Sequence, residues 1–260
     1  MKAVGTGSAA AASAITAATS VKGLQSANWA GYAASLGTTT FRFVSARFTV
    51  PTLDCTGVTA PNGAWSAHWI GLDGLRSTST TVEQTGVVAA CNGTTAEYAA
   101  FWEMFPNAPQ YPPITVNPGD KISMSVFYNR FTRKFTLTFS DTTRGTRFTR
   151  TRSCPAGTTC RRNSAEAISE APFDATTASV LPLADFHTAR FTNVAVTNTS
   201  GSHHGGLRSS FWNTFRITQV SDGTNTTITG DPIAAGTALD NAGPLSQQRN
   251  FTDVWAPANG

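Results

Sequence analysis

The sequence predicts an all-β fold, a sandwich or a barrel. Three observations carry that expectation: apolar and β-branched residues alternate with polar ones in many short runs, turn residues separate the runs, and almost no 3.6-residue period occurs. The composition agrees, with 40% hydrophobic and only 13% charged residues, many Thr, Ser and Val, and 16 Phe. Such residues fit a pleated, half-buried surface better than a helix.

In chain order, the first strand candidates are Phe41 to Val50, Ala67 to Leu72 and Ala96 to Phe105. The turn Asn117-Pro118-Gly119-Asp120 precedes Lys121 to Tyr128, which is followed by Lys134 to Phe139. Asp141 to Gly145 then turns the chain into Thr146 to Thr151. Ala165 to Ala171, Ala189 to Val196 and Phe211 to Val220 continue the series, the last closed by Ser221-Asp222-Gly223. Gly230 to Asn250 reads as a loop-rich return to a final strand at Phe251 to Trp255.

At 260 residues and 27.4 kDa one domain is the expectation. No fixed-period repeat or interior linker divides the chain. The domain is expected over residues 26–257, with residues 1–25 a flexible Ala-, Ser- and Thr-rich segment left from a leader or propeptide. No apolar run reaches the roughly eighteen residues of a membrane span, so no membrane partner is expected.

The net charge of +4 and pI near 9.1 raise the question of nucleic acid. The cations are dispersed Arg with no basic helix or Lys-rich arm, so no nucleic-acid partner is expected. Arg144, Arg147, Arg150, Arg152, Arg161 and Arg162 form the densest basic stretch, and they lie on alternating polar sequence that reads as a solvated hairpin face. The four cysteines include Cys154 and Cys160 around the turn-forming Pro155-Ala156-Gly157, which fits a local disulfide and leaves Cys55 with Cys91. Disulfides place the protein in an oxidising compartment and make it a secreted one. No CxxC has a matching His or Cys partner, and His68, His187, His203 and His204 lack ligand spacing, so no metal is expected.

Residues two apart on a strand share a face, so candidate site residues can be sorted. Phe101, Glu103 and Phe105 share one face, leaving Trp102 and Met104 to the core. A carboxylate between two rings is either a solvated surface Glu or part of an aromatic-lined substrate groove. Glu166 and Glu170 share a face with Ile168, and two acids so placed are ordinarily solvated. Trp69, Gly71 and Asp73 share another face before a turn, and nothing physical marks out Gln84 in Val82-Glu83-Gln84-Thr85-Gly86. A G-x-S-x-G elbow, an H-E-x-x-H motif and a phosphate-binding P-loop are all missing.

Taken together, these segments carry a resemblance. In order they are Ser26-Ala27-Asn28-Trp29-Ala30-Gly31, Val44-Ser45-Ala46 with Val50-Pro51, Trp69-Ile70-Gly71-Leu72-Asp73-Gly74, Glu83-Gln84-Thr85-Gly86, Phe101-Trp102-Glu103-Met104-Phe105-Pro106, Pro118-Gly119-Asp120-Lys121-Ile122 and Ala165-Glu166-Ala167-Ile168-Ser169-Glu170. Each is weak alone, but their order and spacing resemble the glutamic peptidases, or eqolisins. The resemblance implies a β-sandwich of two large bent antiparallel sheets, concanavalin- or jelly-roll-like, with the active site on a concave sheet face. It implies a monomeric acid endopeptidase acting on polypeptides without a cofactor. The catalytic Gln of the family falls on Gln84 and its catalytic Glu on Glu170. Substrate-groove residues fall on Trp29, Trp69, Phe101, Glu103 and Phe105, with Asp73 a supporting acid.

By the same resemblance Glu170 is ionised at rest and acts as general base on a water shared with Gln84, then as acid to the departing amine. The Gln84 N–H would stabilise the oxyanion. Phe101 and Phe105 replace rings that are Trp and Tyr in fungal members, and Ala99 and Ala167 also depart from the pattern, which bears on subsite preference. Two other readings stay open: a jelly-roll glycosidase pairing Glu103 with Glu170, and a carbohydrate-binding module that stacks sugars on the aromatic face.

Overall fold

A computed structural model describes residues 21–60, 63–223 and 235–256. Its strands, in chain order, are β1 (Val21–Ser26), β2 (Trp29–Ser35), β3 (Phe41–Thr49), β4 (Ala64–Leu72), β5 (Val82–Asn92), β6 (Thr95–Phe105), β7 (Lys121–Asn129), β8 (Lys134–Asp141) and β9 (Thr146–Ser153). They continue with β10 (Ala165–Glu170), β11 (Phe173–Asp174), β12 (Ser179–Val180), β13 (Thr188–Asn198), β14 (His204–Gly205), β15 (Asn213–Val220), β16 (Ala238–Ala242) and β17 (Phe251–Trp255). No helix occurs among the described residues.

Fifteen strands form one hydrogen-bonded sheet in the order β6-β5-β4-β10-β2-β15-β16-β17-β13-β3-β7-β8-β9, with β1 added to β15 and β14 to β13. All these ladders are antiparallel except β1 on β15, which is parallel. β11 and β12 make a separate two-stranded ribbon. The large sheet bends back on itself, so that β3, β7 and β8 pack across β4 and β5. The result is a nearly closed β-sandwich, as expected.

The main core lies between the two layers and is filled by large side chains including Phe41, Phe48, Phe135, Phe139, Phe191, Ile70, Leu72 and Trp212. A second apolar cluster, Trp29, Ala33, Ala67, Trp69, Val82, Val88, Phe101 and Ile168, lies on the other face of the β2-β10-β4-β5-β6 layer. This layer is therefore covered on both faces. β2 and β10 are buried at every position, and β5 is buried as far as Cys91. A strand buried on both faces loses the alternation that marks a half-exposed one, which is why β2 and the length of β5 were not visible in the sequence.

Both expected disulfides form, Cys55–Cys91 and Cys154–Cys160. Residues 1–20 of the expected flexible segment lie outside the described residues, and Val21–Ser26 is a strand. Part of the expected loop-rich return also lies outside them, while Ala238–Ala242 is the strand β16, between β15 and β17. Among the described residues no helix is long and apolar enough to cross a membrane.

Candidate active site

Cross-strand register arranges the face of the second cluster into three rows. Trp29, Glu170, Ala67, Val88 and Ala99 form one, and Gly31, Ile168, Trp69, Gly86 and Phe101 the next. Ala33, Glu166, Gly71, Gln84 and Glu103 form the third. Alternation along each strand thus brings the polar side chains Glu170, Gln84 and Glu103 to one surface.

Small residues keep this surface open. A Cβ at Gly86 would lie 2.2 Å from the His68 carbonyl oxygen and 2.6 Å from Trp69 Cβ, so only glycine lets Trp69 lie opposite. Gly74, at φ +109°, passes under the Trp29 ring, where a Cβ would approach Cη2 to 2.6 Å. The two indoles meet edge to face at 5.0 Å. Ala67, Gln84, Val88, Phe101, Glu103, Pro109, Tyr111, Glu170 and Pro172 line an open cleft.

Glu170 sits in this cleft almost wholly buried. Asn28 Nδ2 donates to its Oε1 at 3.0 Å and Trp69 Nε1 to its Oε2 at 2.7 Å. Asn28 is itself fixed by Ser26, whose hydroxyl donates to Asn28 Oδ1 and accepts from the backbone N–H of Asn28 and Trp29. Burial pushes the Glu170 carboxyl up to about 8, against the pull of the Trp69, Trp29 and Asn28 N–H groups. The Trp29 indole N–H exerts its pull from outside hydrogen-bond geometry. Burial thus opposes the ionised resting state that the resemblance implies, while the Trp69 and Asn28 donors favour it.

Gln84 Nε2 donates to Glu103 Oε2 at 2.8 Å, which fixes the amide and leaves its second N–H for another acceptor. Gln84 Oε1 is buried and accepts no hydrogen bond from the described residues. Tyr111 stands beside Glu103: burial first, and then the Glu103 charge, push its phenol up to about 12.

Of the eight residues expected at the site, Gln84, Phe101, Glu103 and Glu170 line the cleft, and Trp29 and Trp69 wall the Glu170 side. Phe105 packs against the same cluster beyond the cleft lining. Asp73 is buried and accepts hydrogen bonds from the backbone of Arg162 and Asn163 and from Thr81 Oγ1, so it fastens the β4–β5 turn to the chain before β10. Glu166 is buried rather than solvated, and burial raises its carboxyl well above the usual range. Asn28, Tyr111, Pro109 and Pro172 were not singled out from sequence. Asn28 stood in a quoted motif, but its partner is 142 residues away, and no local signal points to it. Asp54, Asp185 and His187 have metal-like spacing, but Asp185 Oδ1 already accepts the backbone N–H of His187 and lies 3.1 Å from its Nδ1, which fastens a loop.

The model of the Peptidase A4 family matches residues 27–235. No curated protein sequence matches the chain. Among solved structures, scytalido-glutamic peptidase with a transition state analog inhibitor is 22% identical, covers 88% of this chain and 98% of its own, and superposes with a TM-score of 0.69. SCP-B, a member of the eqolisin family in complex with the tripeptide Ala-Ile-His, is 21% identical with the same coverage and a TM-score of 0.65. Aspergilloglutamic peptidase from Aspergillus niger is 24% identical over 74% of this chain and 99% of its own, with a TM-score of 0.57. These likenesses carry the fold, and the match over residues 27–235 carries the family. With that match and a cleft that gathers Gln84, Glu103 and Glu170 on one sheet face, the chain belongs to the Peptidase A4 family of glutamic peptidases and is an endopeptidase.

Proposed function

We propose that the protein is a secreted acid endopeptidase in which Gln84 and Glu170 activate a water against the peptide carbonyl, with no covalent intermediate. The observation that supports this reading most is that both side chains line one cleft, each held by buried partners: Glu170 by Asn28 and Trp69, Gln84 by Glu103. Glu170, when ionised, takes a proton from the water. The same proton then goes to the departing amine. The Gln84 N–H not bonded to Glu103 stabilises the oxyanion, and Gln84 Oε1 offers an acceptor for the water. The aromatic walls Trp29, Trp69 and Phe101 exclude solvent and hold the polypeptide, with Glu103 at their edge. Two disulfides fit an oxidising compartment and secretion.

The test is hydrolysis of an unfolded protein at acid pH by Glu170→Gln and Gln84→Ala. Losing the base is expected to cost about 10²- to 10⁴-fold, and losing the oxyanion donor about 10²- to 10³-fold, with unchanged circular dichroism. Full activity in either folded variant removes that residue from the mechanism.

A further inference from the structure

The sandwich is not fully closed. Its hydrogen-bonded order begins at β6 and ends at β9, and the two edge strands meet where Arg152 lies over the Trp102 ring at 4.7 Å. The segment 121–162 carries ten of the 19 Lys and Arg and one acid, Asp141. Asp141 is fully buried and accepts from the backbone of the Arg144 turn, and nearby Asp120 is buried against the Arg144 guanidinium at 2.7 Å. Neither offers an exposed counter-charge.

Two of these cations are held in place. Phe148 pairs with Phe139 in the core, so Arg150 and Arg152 share the inward face of β9 and emerge at its rim. Arg150 lies over the Phe148 ring at 5.7 Å and donates to Thr149 O at 3.0 Å. Arg152 lies over Trp102 and donates to Thr151 O at 2.9 Å. Each guanidinium carries five N–H donors, so most of them still face outward. Side chains pinned on rings and edge carbonyls lose little further freedom when an anion arrives. One or two edge charges suffice to keep strands from pairing with other molecules; this concentration exceeds that need.

The seam lies across the β6 edge from the cleft. Trp102 points to the opposite face of β6 from Phe101 and Glu103, and its backbone pairs with Gln110, whose neighbours Pro109 and Tyr111 line the cleft. We infer that the β9 edge is an exosite for acidic polypeptide, with Arg150 and Arg152 engaging Asp, Glu or phosphorylated side chains of a substrate whose scissile bond lies in the cleft. The inference rests on the peptidase reading and names the substrate class that the cleft receives best. A polypeptide is favoured over other polyanions because the cations lie on a strand edge of a peptidase.

The test uses one cleavable peptide carrying either a neutral or a Glu-rich tail, at pH 5, where most Glu side chains are ionised. In the wild-type enzyme the acidic tail is expected to lower KM about fivefold with kcat unchanged. The advantage is expected to shrink steeply between about 0.05 and 0.5 M salt. Arg150→Gln with Arg152→Gln removes it while the neutral-tail peptide is cut as before. Equal KM values for the two tails in the wild-type enzyme, or full preference in the double variant, overturn the inference. Fluorescence anisotropy of an uncleavable acidic peptide reads the edge without catalysis: if neither tail is cut, the peptidase reading fails while this binding still decides the exosite. Binding of a sulfated polysaccharide at this edge with no binding of the acidic peptide also overturns it.

Discussion

At the scale of single residues, the site turns on how Glu170 is held. Asn28 donates one of its two hydrogen bonds, and that bond favours the ionised form against the burial that raises its pKa to about 8. Asn28→Ala removes a hydrogen bond to a charge, worth roughly 1.5–3 kcal/mol. kcat/KM is expected to fall about 10- to 100-fold. With one donor fewer, the Glu170 pKa rises, so the limb of the kcat/KM profile that follows its ionisation moves to higher pH. A loss of activity with an unmoved limb assigns Asn28 a packing role only. Gln84 itself was invisible to physical reading, because a Gln on a strand is an ordinary sheet-face residue. Its amide is fixed by Glu103 directly across the β5–β6 ladder, a pairing that becomes visible only once the register is known.

At the scale of elements, strands both inside and outside the site were legible, among them β4, β6 and β10, while β2 and most of β5 were not. β3, β7 and β8 alternate core and more exposed positions, and their boundaries follow the periodicity to within a few residues. β2 and β5, which build the site, are buried on both faces and show no period. The disulfides could be paired because one loop is short and leaves no choice for the other. The sorting of β6 into a Phe101, Glu103, Phe105 face and a Met104 core face held, because that strand keeps its alternation beside the cleft. Gly86 joins these strands at closest approach. Gly86→Ala forces a methyl into the His68 carbonyl and Trp69 Cβ and is expected to cost more than about 2 kcal/mol. Urea unfolding measures it; a variant as stable as the parent means that β4 and β5 can separate without cost.

At the scale of the whole molecule, buried acids tie stability to pH. Burial raises Glu83, Glu166 and Asp240 well above the usual range, and holds Asp253 at about 7 and Glu170 at about 8. In each the protonated form is favoured in the fold, so its stabilisation is complete below the unfolded value near 4 and is lost as pH rises through the folded values. His68, lowered to about 3 by burial, works the other way and costs stability below about 6.5. Five carboxyls outweigh one imidazole. The midpoint of thermal unfolding is therefore expected to fall between pH 4 and pH 8 by on the order of 10 °C; a flat or rising midpoint contradicts this account. The strand order carries a further consequence for how the chain comes to be active. β10, which bears Glu170, is inserted between β2 and β4, strands made from the first third of the chain, while Gln84 stands beyond β4 on β5. Such distant pairings close late, because their loops must be ordered before any contact rewards them. With the dyad proposed above, a nascent chain exposes cleavable segments before Gln84 and Glu170 have come together, and self-digestion has to wait for the fold.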